Sequence, residues 1–306
     1  MPPAPSIYNG GDNRKALAAR PAELKASVFT TFLQGGFAMA DAKQKRKKHA
    51  ESLWNRIPPG MMIAISLAAG IAVWWVLSTL PSVGTILIDP VKIAKAFVVE
   101  WESGRLFANT YASMLRVIGG FCLGLIAAIP VAFLMGWYRP IRELIEPWIQ
   151  FFRTIPPIAL IPLVIVAQGV GESAKITIIF VATFLVMVIS IYQGVRNVDP
   201  TLIKAARVLG ATDRHIFLEV VVPASFPYIL VGVRLGLASA WTTLVAAELT
   251  GANKGLGNMI MEAGLFFRMD QIILGIILIG VIGFVMDKFV LFLERRLTGW
   301  QELRKS

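Results

Sequence analysis

Six side chains stand where an apolar sequence seldom tolerates polar chemistry. Arg153, Gln168, Arg234, Thr242, Thr243 and Glu248 all fall in or beside long hydrophobic runs. A charge at the centre of such a run costs roughly 2.5–3.5 kcal/mol on insertion scales unless it is paired or hydrated. Arginine there suits an oxyanion, because its planar fork gives two N–H groups to a sulfonate or nitrate. Gln168, Thr242 and Thr243 suit the walls of a polar path. The same residues also fit a structural reading. The charges then pair with one another, or with carbonyls freed around Pro156 and Pro157, and the hydroxyls bridge helices or bond to backbone. Arg116 is read as a span-end residue whose head reaches outward to the interface.

Other chemistries lack their residues. Cys122 is the only cysteine, and His49 and His215 are the only histidines. No disulfide framework, cysteine metal cluster or His-rich metal site is available, so no metal and no cofactor is expected. No His-Glu-x-x-His occurs, and both histidines lie outside the apolar runs, which argues against an intramembrane enzyme. Gly-x4-Gly-Lys-[Ser/Thr] is absent, so the chain has no usual cradle for ATP phosphates. Gly169-x-Gly171-x2-Ala174 superficially fits a dinucleotide fingerprint, but it follows no strand and sits between two apolar runs.

The elements that must hold these residues follow from composition. Of the 306 residues, 56% are hydrophobic and only 16% charged, against roughly 25% charged in a soluble domain. Mean hydropathy is +0.67. Six apolar segments emerge: Met61–Leu80, Thr110–Gly136, Glu146–Gln168, Ser173–Gly194, Pro227–Ala247 and Ile272–Leu293. The first, 20 uncharged residues ended by Pro81, reaches about 30 Å at 1.5 Å per residue, the depth of a bilayer core. Trp137 and Tyr138 close the second as an interfacial aromatic belt, followed by a short basic loop with Arg139 and Arg142. The third is interrupted by Pro147, Pro156, Pro157 and Pro162, tolerable only where protein or a water-filled cavity satisfies the freed backbone. Gly120/Gly124 and Gly232/Gly236 are small-xxx-small pairs that allow close helix approach.

Residues 1–56 are different: polar, small and basic, with a cluster at Lys43, Lys45, Arg46, Lys47 and Lys48. They are expected to form a cytoplasmic, disordered tail, with no cleaved signal peptide; Met39 is an alternative start. Basic residues beside a first span are a retention signal, so no nucleic-acid partner is expected. With both termini inside, 23 of the 30 Lys and Arg fall on the inner side, as the positive-inside rule requires. The expected fold is an all-α membrane protein. It is a six-helix transmembrane bundle over residues 57–300, with a short cytoplasmic tail at 301–306.

Residues 195–222, between spans four and five, carry the most information. Asp199-Pro200 is a helix start, with Asp as N-cap and Pro at the first helical position. Leu202, Ile203, Ala205, Ala206 and Leu209 then keep a helical apolar pattern, and Gly210 ends it as a C′ glycine would. Thr212-Asp213 starts a second short helix, and Pro223 leads back to the membrane. The product is a compact cytoplasmic knob; an interfacial amphipathic helix is the plain alternative.

The run Lys204-Ala205-Ala206-x3-Gly210-x9-Val220-x-Val222-Pro223 resembles the EAA signature of binding-protein-dependent ABC importer permeases. That signature reads Glu-Ala-Ala, three residues, Gly, nine residues, Ile-x-Leu-Pro. The spacing matches throughout; Lys204 reverses the charge of the usual Glu. The stretches Phe152–Leu163, Gly169–Lys175 and Trp241–Leu249, with Gly255-Leu256-Gly257 after them, resemble the nitrate, sulfonate and taurine branch, taurine permeases above all. The resemblance runs over residues 60–300. It implies a bacterial inner-membrane permease that acts as a dimer of this chain, is driven by two cytoplasmic ATP-binding cassette ATPase subunits, and receives solute from a periplasmic or lipoprotein solute-binding protein. It makes 195–222 the coupling segment that docks on the ATPase, and residues 250–268 an outward loop that dips back toward the binding protein. It implies taurine first, then other sulfonates, then nitrate. An ion-gradient-driven secondary transporter is the alternative; it would usually show two related halves and intramembrane carboxylates, and no internal repeat is evident.

Overall fold

The computed structural model describes residues 58–80, 84 and 86–302. The basic tail, Met39, Pro81 and residues 303–306 lie outside them. The chain divides into two units, Met1–Val73 and Trp74–Ser306. The described part of the first is the opening of an apolar helix, α1 (Pro59–Ser78). In the second unit that helix ends as the Ser78 and Thr79 hydroxyls donate to the carbonyls of Trp75 and Val76, each at 2.7 Å.

Among the described residues every regular element is helical. After α1 come α2 (Pro90–Glu102), α3 (Arg105–Trp137) and α4 (Arg139–Thr154). A 3₁₀ turn (Pro157–Leu160) leads to α5 (Ile161–Gln168). Next are α6 (Glu172–Arg196), α7 (Pro200–Val208), α8 (Asp213–Leu249), α9 (Leu256–Leu265) and α10 (Met269–Glu302). Five of these, α1, α3, α6, α8 and α10, are long and apolar enough to cross a membrane.

The expected third span is not one straight helix. Its two parts, Arg139–Thr154 and Pro157–Gln168, meet at 91°. The cause is local. Ile155 and Pro156 each precede a proline, which pushes the backbone out of the α region. They sit at ψ 118° and 130°. The six expected spans are thus five unbroken helices and, where the sequence is interrupted by prolines, this bent pair, which makes a sixth if it is counted as one span.

α6 is the axis of the bundle, with α3 on one side and α8 on the other. It is apolar all round, as a helix enclosed by others must be. Its neighbours approach on glycine. A methyl group at Gly120 would come within 2.5 Å of Ile179, and one at Gly124 would overlap Thr183. On α8, Gly236 lies against Met187 and Gly232 against Ile191. Both small-xxx-small pairs thus face the same central helix. Phe133, Met187, Val188, Ile191, Ile216 and Val221 form the larger core at one end of the bundle. Val117, Ile179, Leu237, Trp241 and Leu244 continue it toward the other.

Two elements fall outside the sequence expectation. α2 is capped by Asp89, whose carboxylate accepts the Val91 N–H at 2.9 Å, and it packs Ile93 and Ala96 on Leu274 of α10. α8 is not a short helix followed by a span. It runs unbroken from Asp213 to Leu249, through a π turn at Ile216–Val221. There the Val222 N–H reaches back to the Phe217 carbonyl, and this wider register carries the helix past Pro223, which has no N–H to give.

Candidate functional site

The segment 199–223 folds as a capped knob. Asp199 accepts the Thr201 N–H at 2.8 Å, and Pro200 fills the first helical position of α7. The far end is a Schellman motif. Gly210 lies at φ 81°; its N–H bonds the Arg207 carbonyl and the Ala211 N–H bonds the Ala206 carbonyl, both at 3.0 Å. These are the two bonds that motif requires, with a left-handed residue that glycine supplies without steric cost.

The knob has two faces. Ile203, Ala206 and Ala211 turn inward and pack with Phe217, Val220 and Val222 on the core of α3, α6 and α8. Lys204, Ala205, Arg207 and Gly210 are exposed, as is Pro223 on α8. Val208 and Leu209 are 88% and 86% exposed. Two large apolar side chains held out by a fully capped helix form a surface suited to a protein partner.

At the opposite end of α8 lies a cluster that sequence reading missed. Arg116 of α3 is buried, not directed to an interface. Its Nε and Nη2 donate to both Glu172 carboxylate oxygens at 2.5 and 2.7 Å. Its Nη1 donates to Glu248 Oε1 at 2.5 Å and to the Lys254 carbonyl at 2.7 Å. Lys175, also buried, donates to Glu172 at 3.2 Å. Two cations and two carboxylates thus tie α3, α6 and α8 together, and the buried Arg116 and Glu248 each have several partners, as their burial demands.

The same cluster holds α9. Three consecutive N–H groups at its start bond to side chains of other helices. Gly255 donates to Asn109 at 3.0 Å, Leu256 to the Ser113 hydroxyl at 2.9 Å and Gly257 to Glu248 Oε2 at 2.8 Å. Ser113 in turn donates to Glu248 Oε1 at 2.7 Å. Gly255, at φ 138°, has the Glu248 carboxyl where a side chain would begin. The Gly255-Leu256-Gly257 run is therefore the seat of a buried carboxylate.

The six polar candidates do not converge. Arg153 is exposed in the last turn of α4. Gln168, exposed at the end of α5, accepts from the Thr177 hydroxyl at 3.1 Å. Arg234 grips Asp287 of α10 with two bonds of 2.6 and 3.2 Å, and its side chain stays 46% exposed. Thr242 is exposed and donates to the Ala238 carbonyl at 2.7 Å, whereas Thr243 is buried. Glu248 is buried against Arg116. Arg234 and Glu248 lie about 21 Å apart along the helix. Neither arginine candidate pairs with Glu248. Asp287 and Glu172, acids at matching depths on other helices, were the available signal for both ion pairs.

The residues match known proteins along most of their length. A family model described as "Binding-protein-dependent transport system inner membrane component" matches residues 120–299. A probable ABC transporter permease protein of Brucella abortus is 52% identical over 238 residues, covering 78% of this chain and 94% of its own length. The taurine transport system permease protein of Escherichia coli is 34% identical over 263 residues, covering 83% and 96%. A chain of the MetNI methionine ABC transporter, in an inward-facing conformation, shares the fold with a TM-score of 0.56 at 19% identity, over 61% of this chain and 94% of that one.

Proposed function

The chain belongs to the family of binding-protein-dependent transport system inner membrane components, and from that premise we propose that it forms the translocation pathway for a small sulfonate, taurine first. As a member it is a multi-pass inner-membrane transport subunit of an ABC importer. The family implies an ATPase partner and a solute-binding protein. Taurine carries a sulfonate, and relatives named for taurine and for aliphatic sulfonates, 34% and 36% identical, support a sulfonate reading.

The observation that carries the coupling reading is the capped knob with Val208 and Leu209 exposed. Both ends of α7 are fixed, and its inner face shares a core with α6 and the π turn of α8. A partner that pushes on α7 moves these helices with it, so closure of the ATPase pair becomes a rigid-body motion of the bundle. Lys204, Ala205, Ala206, Gly210, Val220, Val222 and Pro223 form the coupling segment in this reading. With the N-terminus inside, the α7 end faces the cytoplasm, which the lysine and arginine distribution supports.

The pathway is assigned to the exposed polar residues Arg153, Gln168, Arg234 and Thr242. The Arg234–Asp287 pair lies deep in two spans with half of the arginine uncovered, a position lipid does not accommodate cheaply. A second copy of the chain, enclosing a hydrated path against this face, satisfies it. Glu248 and Thr243 serve the bundle from within.

The test is uptake of labelled taurine by cells expressing Gly210→Asp. The expected result is loss of ATP-driven uptake with unchanged amounts of chain in the membrane. Normal uptake by a well-expressed variant refutes the coupling reading.

A further inference from the structure

Beside the knob, and used by neither end of the mechanism, is a cavity of about 750 Å³. It lies between the end of α3 and the start of α8. Ile129, Pro130, Phe133 and Leu134 line one side, and Phe217 and Val222 the other. The lining continues to Trp137, Tyr138, Asp213 and Arg214. From Ile129 to Tyr138 it follows α3 for about 14 Å. One end is therefore apolar and deep along the span. The other reaches the aromatic pair that closes the apolar run, the level at which Trp and Tyr sit in a headgroup layer.

The charges at that shallow end are unequal. Asp213 is engaged by Arg207 at 3.5 Å. Among the described residues no carboxylate lies within ion-pair distance of Arg214. Arg139, on the next turn of chain, holds Glu143 at 2.7 Å, and Arg142 follows it. An apolar slot with an uncommitted guanidinium at headgroup depth matches one kind of occupant. A sulfonate solute has no reason to enter so apolar a lining, and water finds few partners in it.

We propose that this cavity binds an anionic phospholipid, its acyl chain along α3 between Ile129 and Phe217 and its phosphate on Arg214. The ligand braces the start of α8, at Asp213 and Arg214, against α3, and so sets the stiffness of the knob, whose capping Gly210 lies three residues earlier. The binding claim rests on the membrane reading alone. It stands or falls separately from the importer reading, because its test reads lipid and not uptake.

The test is native mass spectrometry of the full chain in detergent, titrated with phosphatidylglycerol and, separately, phosphatidylcholine of the same acyl chains. Wild type should retain phosphatidylglycerol in preference. Arg214→Gln should reduce that preference about fivefold, the worth of one basic residue at an anionic surface. Leu134→Trp, an exposed position filled rather than emptied, should lower retention of both lipids. A melting temperature like that of wild type for each variant shows that it has folded. Equal retention of both lipids by wild type overturns the proposal. So does retention unchanged by both variants. A change in oligomeric mass with Leu134→Trp and no change in lipid overturns it too, since the slot would then be filled by a second copy.

Discussion

Arg116 is the residue whose loss should cost most. It satisfies Glu248, which is buried, together with Glu172 and the Lys254 carbonyl. Removing one partner of a buried pair leaves an uncompensated charge and typically costs about 3–5 kcal/mol. Arg116→Met should therefore lower the thermal midpoint in detergent sharply, and adding Glu248→Gln should recover part of the loss. Glu172→Gln should cost much less, because that carboxylate is 61% exposed and exposed pairs contribute little. An Arg116→Met midpoint equal to that of wild type would remove the cluster from the account. The particular pairing was not legible from the chain. Arg116 and Glu248 are separated by 132 residues, and only the packing of α3 on α8 beside α6 brings them together. A span-end arginine with its head in water was the natural reading of Arg116 alone. Glu248 and Arg234 were recognised as misplaced charges, but their partners lie on other helices.

At the scale of elements, what depends on near neighbours was readable. Asp199-Pro200 and Gly210 marked both ends of α7 because caps are set within a few residues. The proline cluster marked a break, and the X-Pro-Pro sequence explains it, but the 91° angle needs the surrounding packing. α2 went unread because it is too short to span, and α9 was read only as part of a loop that dips back, because it is held by side chains from distant helices. Two predictions belong here. Gly124→Ala should destabilise by about 1–3 kcal/mol, as overpacking does, since its methyl would overlap Thr183. Gly119→Ala, with Ile176 at an ordinary 3.8 Å, should change the midpoint little. Comparable losses from the two would mean that the α3–α6 contact is not set by glycine. Gly210→Ala meets open space but a backbone at φ 81°, so it should cost about 1–2 kcal/mol from left-handed strain alone. Hydrogen exchange should then rise first at Arg207–Ala211.

For the whole molecule, the two ends of α8 have different tasks. One end carries the knob, where a capped helix holds Val208 and Leu209 exposed beside the shared core. The other is locked by Arg116 and Glu248, which fix α9 against α3. The half-exposed Arg234–Asp287 pair lies between them, on the face proposed for a second copy. The most direct test is to tag the chain at its C-terminus, purify it gently from its native membrane, and quantify the ATP-binding subunit that accompanies it, for wild type and for Val208→Asp/Leu209→Asp. The account predicts a stoichiometric ATP-binding subunit with wild type, lost in the variant while the amount and melting of the chain stay the same. A wild-type homo-oligomer with no ATPase, or an ATPase retained in full by the variant, would contradict it; the first result would bring ion-driven transport to the front.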